Sequence, residues 1–174
     1  ISYPNQSVGR PILGYNKLIK GYKRDNLIDF TKEHYIPNNM VLCAAGDVNH
    51  KEILEYANIL FGDMKKCKSQ PIKGCKFVGG SSLKKKDLEQ THFTLSFESS
   101  SLKDEDIFSS QIFSIILGGG MSSRLFQEVR EKRGLCYSIY STIEALSDTG
   151  MLTVYAGSNS EKIRELSQII IDEI

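Results

Sequence analysis

Residues Thr91 to Glu98 alternate apolar and polar side chains without a break. Phe93, Leu95 and Phe97 share one face; His92, Thr94, Ser96 and Glu98 share the other. A period of two predicts a half-buried strand. Residues 136–145 and 150–157 alternate in the same way on either side of Ser147-Asp148-Thr149-Gly150. That tetrapeptide is made of turn formers, so the pair reads as an antiparallel hairpin. Between these strands the period lengthens. Ile107, Phe108, Ile112, Ile115 and Ile116 recur at helical spacing, after an opening Ser101 and Asp104 and before Gly118-Gly119-Gly120. Ser122 or Ser123 caps a further helix with Leu125, Phe126 and Val129 on its buried face. Ser160 caps a last helix carrying Ile163, Leu166, Ile170 and Ile174. The order strand, helix, helix, strand, strand, helix predicts an α+β fold, an antiparallel sheet flanked by helices.

The first third of the chain has its own pattern. Residues 1–22 are rich in Gly, Pro, Asn and Tyr and read as loop. Asp25 to Tyr35 carries Leu27, Ile28 and Phe30 on a short helix that stops before Pro37. The apolar run Met40 to Ala45, inside Asn39–Val48, predicts a short buried strand. Asn49 caps the next helix with Glu52 three residues on, and Ile53, Ala57, Leu60 and Phe61 form its apolar face. Periodicity is lost over residues 62–90, which hold Pro71, Gly74, Gly79 and Gly80, and a domain boundary is expected there.

Composition narrows the classes of function. The chain has 174 residues, 40% hydrophobic and 25% charged, with a net charge of +1. That length suits one large domain or parts of two. So small a charge gives no field for nucleic acid or an anionic membrane, and Lys84-Lys85-Lys86 reads as a solvated loop. No apolar run approaches the roughly 20 residues of a membrane span. Cys43, Cys67, Cys75 and Cys136 form no CxxC. Cys43 and Cys136 read as small core residues. Cys67 and Cys75 flank a loop and can pair only if geometry allows. The expected setting is reducing and intracellular. Ile1 opens within a loop-like phrase and Ile174 closes within a helical pattern, which reads as a fragment.

Candidate chemistry is sparse. His34, His50 and His92 lie too far apart in sequence for HxxEH or another local metal motif, so each reads as structural or surface. The stretch Gly118-Gly119-Gly120-Met121-Ser122-Ser123 precedes a helix, but a helix and not a strand leads into it, and it lacks the Lys of a phosphate loop. It reads as a helix corner or as a loop touching an extended substrate. Arg130 sits near a helix end, where it can complement the dipole, and Tyr137 opens a strand, where it can serve as core. A joint functional role for the two is the other reading.

Four phrases then bear on those alternatives. They are Gly9-Arg10-Pro11-Ile12-Leu13-Gly14, Tyr35 to Val48 (YIPNNMVLCAAGDV), Asp87-Leu88-Glu89-Gln90-Thr91-His92, and Leu117 to Tyr140 (LGGGMSSRLFQEVREKRGLCYSIY). Together, and in this order, they resemble the mitochondrial-processing-peptidase branch of the insulinase/pitrilysin zinc peptidases. Lys23, where a capping Thr or Ser is usual, and Cys136, where Ala is common, are small departures.

The resemblance implies a subunit of two similar α+β domains. Residues 1–68 would end the first, 69–85 would link, and 86–174 would be most of the second. The family's zinc ligands, HxxEH and a later Glu, lie upstream of the GRPILG phrase, so no metal ligand is expected in this chain and zinc belongs to the parent protein. The family's second domain supplies an Arg and a Tyr seven residues apart, matched by Arg130 and Tyr137. By resemblance these are the catalytic-wall residues, gripping a peptide and donating to its oxyanion. Gly118, Gly119, Gly120, Ser122 and Ser123 are expected to touch the substrate. Peptide substrates and a second subunit, in a homodimer or heterodimer, are the implied partners. The parent would be a zinc metalloendopeptidase, and this piece alone inactive. The competing reading is a non-catalytic partner subunit of the same family.

Overall fold

The computed structural model describes residues 1–65 and 73–174. The chain divides into two compact units, one of Ile1–Arg10 with Gly74–Ile174 and one of Pro11–Lys73.

The larger unit is a three-stranded antiparallel sheet with helices on one face. Its strands are β1 (Thr91–Ser99), β2 (Cys136–Ala145) and β3 (Gly150–Ser158), in the order β1-β3-β2. The expected alternation sets the register: Phe93 faces Ala156, Leu95 faces Val154, and Phe97 faces Leu152. The turn at Ser147–Thr149 closes the hairpin, with Leu146 N–H donating to Thr149 O at 2.8 Å. β3 is the central strand, and its Leu152, Val154 and Ala156 are buried. They meet Leu117, Leu125, Val129, Leu135, Ile139, Leu166 and Ile170 in one apolar cluster. Each fully buried Leu, Ile or Val there contributes about 1.5–3 kcal/mol relative to exposure. Leu166 and Ile170 come from a C-terminal helix, Ile163–Glu173, as the periodicity predicted.

The helix before the glycines spans Ile107–Gly118, but its buried stripe differs from expectation. Ile107, Ser114, Leu117 and Gly118 are buried, whereas Phe108, Ile112, Ile115 and Ile116 are exposed. The reason is close helix–sheet approach through small residues. Ser114 Oγ donates to Ser141 Oγ at 3.3 Å, and Ser141 Oγ donates to the Ser114 carbonyl at 2.7 Å. A Cβ on Gly118 would lie 2.4 Å from Ser141 N, so only glycine lets the backbones come this near.

Residues 1–10, read from sequence as loop, are fastened to the hairpin end. Tyr3 is buried, with its hydroxyl 2.8 Å from Thr149 Oγ1 and donating to Gly150 O at 3.2 Å. The Phe77 ring meets it edge-on, and Gln6 bonds the Lys76 backbone twice at 2.7 Å.

The smaller unit holds α1 (Asn16–Ile19), α2 (Arg24–His34) and α3 (His50–Phe61). In place of a side-chain cap from Lys23, the Asn26 amide oxygen accepts the Lys23 N–H at 2.9 Å. Asn49 caps α3 as expected, accepting from Lys51 N–H at 2.9 Å. The strand expected at Asn39–Val48 does not form. Pro37–Asn39 is a single 3-10 turn, and the following run is extended but unladdered, with Val41 and Leu42 exposed. A strand exists only with a hydrogen-bonding neighbour, and none among the described residues pairs with this one. Cys43 is exposed rather than core. Cys67 lies outside the described residues, and so does the Cys67–Cys75 pairing.

Candidate functional site

The segment after the glycines positions both residues singled out from sequence. Arg124 and Leu125 begin a helix, and Phe126–Glu131 winds as a π-helical turn. Lys132 N–H reaches back five residues to Gln127 O at 2.9 Å. Such turns are rare and recur at functional sites. Val129 is buried in the core while Arg130 is half-exposed. The helix stops at Gly134, which has φ +58°, a left-handed conformation that favours glycine. The Gly134 N–H donates to the Arg130 carbonyl at 3.0 Å, and the Leu135 N–H to that of Val129 at 3.0 Å. The chain therefore turns straight from Arg130 into β2.

β2 opens with an irregularity. Cys136 pairs with Ser158 and Ser138 with Gly157, which leaves Tyr137 as an extra residue with no partner. This is a β-bulge, a device that re-aims a side chain. Its trace is readable in the sequence: inward-facing Cys136 and Ile139 stand three apart, whereas Ile139, Ser141 and Ile143 stand two apart. Tyr137 is 74% exposed, so it is not the core aromatic that simple alternation allowed.

The bulge and the π-turn bring the two residues together. The Arg130 guanidinium carbon lies 5.7 Å from the centroid of the Tyr137 ring and 4.6 Å from that of Phe126. Phe126, assigned from periodicity to the buried face, is half-exposed and absent from the core cluster. The neighbouring cations are all engaged. Lys132 and Arg133 both pair with Glu128, Arg133 at 2.7 Å, and Arg124 pairs with Glu173 at 2.7 Å. Those bonds, Lys132 first and then Arg133, hold the Glu128 carboxyl below its usual range. Arg130 makes no ion pair among the described residues. Burial pushes the Cys136 thiol up, and the Arg130 charge pulls it the other way.

Tyr137, with Gln90, Cys136, Gly157 and Lys162, lines a shallow cavity of about 270 Å³ at the end of the sheet. The glycine stretch lies elsewhere. Gly118 is inside the helix and buried on β2. Ser123 is buried, its hydroxyl donating to Gly120 O at 2.6 Å. Gly119, Gly120 and Ser122 line a separate hollow of about 340 Å³ with Ile115, Ile116 and Arg124. The histidines are dispersed: His34 packs on Phe30, and His92 Nδ1 lies 2.7 Å from the Tyr155 hydroxyl. Among the described residues no three His, Cys, Asp or Glu are grouped to hold a metal ion. They do not fit a zinc ion, and the chemistry open to them is that of their own donors. No helix among the described residues is long and apolar enough to cross a membrane.

Comparison with known proteins assigns the family. The family described as the peptidase M16 inactive domain matches residues 22–174. The chain therefore belongs to the M16, or insulinase-type, peptidase family. A zinc protease of Rickettsia bellii is 40% identical over 173 residues, covering 99% of this chain and 42% of the relative. The chain thus spans about two fifths of that relative's length. Among solved structures, an M16 inactive domain from Pseudomonas fluorescens superposes with a TM-score of 0.84 at 23% identity, covering 99% of this chain and 42% of that one. A chain of complex III2 from Candida albicans also gives 0.84, at 16% identity, covering 99% and 43%. At these identities the two structures establish the α+β fold.

Proposed function

We propose that this chain is part of a longer zinc-dependent endopeptidase, in which residues 86–174 form most of a second domain and residues 1–68 the end of a first. Arg130 and Tyr137 form one wall of the active site. The metal is held outside these residues, and a second subunit completes the enclosure. The observation that carries this reading is the pair itself: an arginine with no ion pair among the described residues lies 5.7 Å from the ring of a tyrosine at a β-bulge. The naming of relatives as zinc proteases supports it further.

The chemistry follows from the donors. Arg130 presents a planar fork of N–H groups that can hold a substrate carbonyl and keep the peptide extended. The exposed Tyr137 hydroxyl can donate to the oxyanion that develops on the scissile carbonyl. A donor placed where charge develops lowers the barrier, and removing one costs on the order of a hundredfold or more in rate. Gly119, Gly120 and Ser122 form a second contact for the extended peptide; buried Gly118 and Ser123 shape the loop.

The test is peptide hydrolysis by the full-length protein. Tyr137→Phe should lower kcat by about a hundredfold or more, and Arg130→Ala should lower kcat/KM comparably. Full hydrolysis by both variants would remove the pair from the active site. No hydrolysis by the unmutated protein, alone or with a partner subunit, would favour a non-catalytic subunit.

A further inference from the structure

We infer that Phe126 is a positioning residue, whose ring holds the Arg130 guanidinium in place beside Tyr137. The consequence for catalysis rests on the peptidase reading above; the contact itself does not.

Three observations carry the inference. The first is geometric. The guanidinium carbon is 4.6 Å from the Phe126 centroid, nearer than to Tyr137 at 5.7 Å, and both lie inside the roughly 6 Å range of cation–π attraction. Arg130 is thus in contact range of two rings, one from its own helix and one from β2. The second concerns where Phe126 is not. It is a large apolar side chain on a core-facing helix, flanked by fully buried Leu125 and Val129, yet it belongs neither to the core cluster nor to the residues packed on it. Its contact with Arg130 gives the ring a use that core packing does not. The third is the absence of a competing anchor. Glu128, two residues before Arg130, already serves Lys132 and Arg133, and the adjacent Glu131 makes no ion pair among the described residues. No carboxylate among the described residues holds Arg130, so the rings set its position.

A ring suits this task better than a carboxylate. An ion pair would orient the guanidinium but consume the donors needed by a substrate carbonyl. A ring face attracts the cation electrostatically while leaving its edge N–H groups free. Pre-setting the side chain also reduces the rotamer entropy lost when a peptide binds.

The experiment compares Phe126→Leu, which keeps apolar bulk but removes the π face, with Phe126→Tyr, which keeps the face. Both are made in the full-length protein, with thermal unfolding as a control and Phe126→Met as the substitute if the leucine variant does not fold. The Arg130 side-chain proton resonances, shifted by ring current in the wild type, should move toward free-arginine values in Phe126→Leu and stay in Phe126→Tyr. Peptide KM should rise about threefold to tenfold in Phe126→Leu, with kcat changing less, and return in Phe126→Tyr. Unmoved Arg130 resonances in Phe126→Leu would overturn the inference. So would equal KM losses in both variants, which would mean a generic packing role. If Arg130→Ala leaves hydrolysis intact, the placing of Arg130 in the active site fails, and the resonances still decide the role of Phe126.

Discussion

The two units spend their apolar residues differently. In the unit containing the sheet, Leu117, Leu125, Val129, Val154, Leu166 and Ile170 converge on one cluster and are essentially inaccessible to water. In the Pro11–Lys73 unit, the apolar faces of α2 and α3 stay open: Leu27, Phe30, Leu54, Ile59 and Leu60 are all exposed. Both regions have helical periodicity, and it is the smaller unit that has the side-chain cap, Asn49 on α3, while the helices Ile107–Gly118 and Ile163–Glu173 have none. The difference is that a three-stranded sheet gives the first set of helices a surface to cover, while among the described residues α2 and α3 have no sheet of their own. Amphipathic pattern therefore specifies which face a helix offers; a partner layer decides whether that offer contributes stability.

The largest expected effect separates these regions directly. Leu166→Ala empties a site with 0% exposure and should cost about 2–5 kcal/mol of unfolding free energy. Leu60→Ala removes the same atoms from a side chain 70% exposed and should stay within about 0.5 kcal/mol. Urea unfolding of both variants measures the contrast. Equal losses would mean that the open face of α3 is covered in the protein as tested.

A smaller effect tests the helix–sheet contact. Gly118→Ala forces a Cβ to within 2.4 Å of Ser141 N and should destabilise by about 1–3 kcal/mol. Gly120→Ala meets nothing within 4 Å and should be close to neutral. If the two variants unfold at the same midpoint, the glycine stretch is a uniform loop, and the tight packing of its first member on β2 is refuted.

These contrasts also show what could be read from sequence. β1 and the hairpin were legible because a period of two is enforced by the ladder, and Phe93, Leu95 and Phe97 needed no more context than that. The helix at Ile107–Gly118 was legible as a helix but not in its orientation. Counting apolar residues selects Ile107, which is buried, but also Phe108, Ile112, Ile115 and Ile116, whereas the rest of the buried stripe is Leu117 with Ser114 and Gly118, the last two suited by size and not hydropathy. The run at Met40–Ala45 has strand character, yet pairing is a property of two segments and one segment cannot display it. At the site, Arg130 and Tyr137 were legible as a spacing of seven. The π-turn was not, because apolar residues at i and i+4 look alike in both helix types. Phe126 was misassigned for the same reason, and the bulge at Tyr137 left only the slipped alternation between Cys136 and Ile139.

The smallest expected effect concerns the charges beside the site. Glu128 accepts from Lys132 and Arg133, so its folded-state carboxyl titrates below the ordinary carboxylate range. A depressed carboxylate stabilises the fold at pH values above its unfolded titration, and that contribution fades as pH falls through the folded value. The pair members are largely solvated, so the stability change is small. The clearer signal is local. Below that pH, Lys132 loses its carboxylate partner and Arg133 keeps only the Glu128 carbonyl. Glu128→Gln should reproduce this state at neutral pH. Acid titration of the Lys132 and Arg133 side-chain resonances should show a common step in the wild type and none in Glu128→Gln. A wild-type step at or above the ordinary carboxylate range would mean that the Glu128 cluster does not hold in solution, and that Arg130 is not singled out by the engagement of its neighbours.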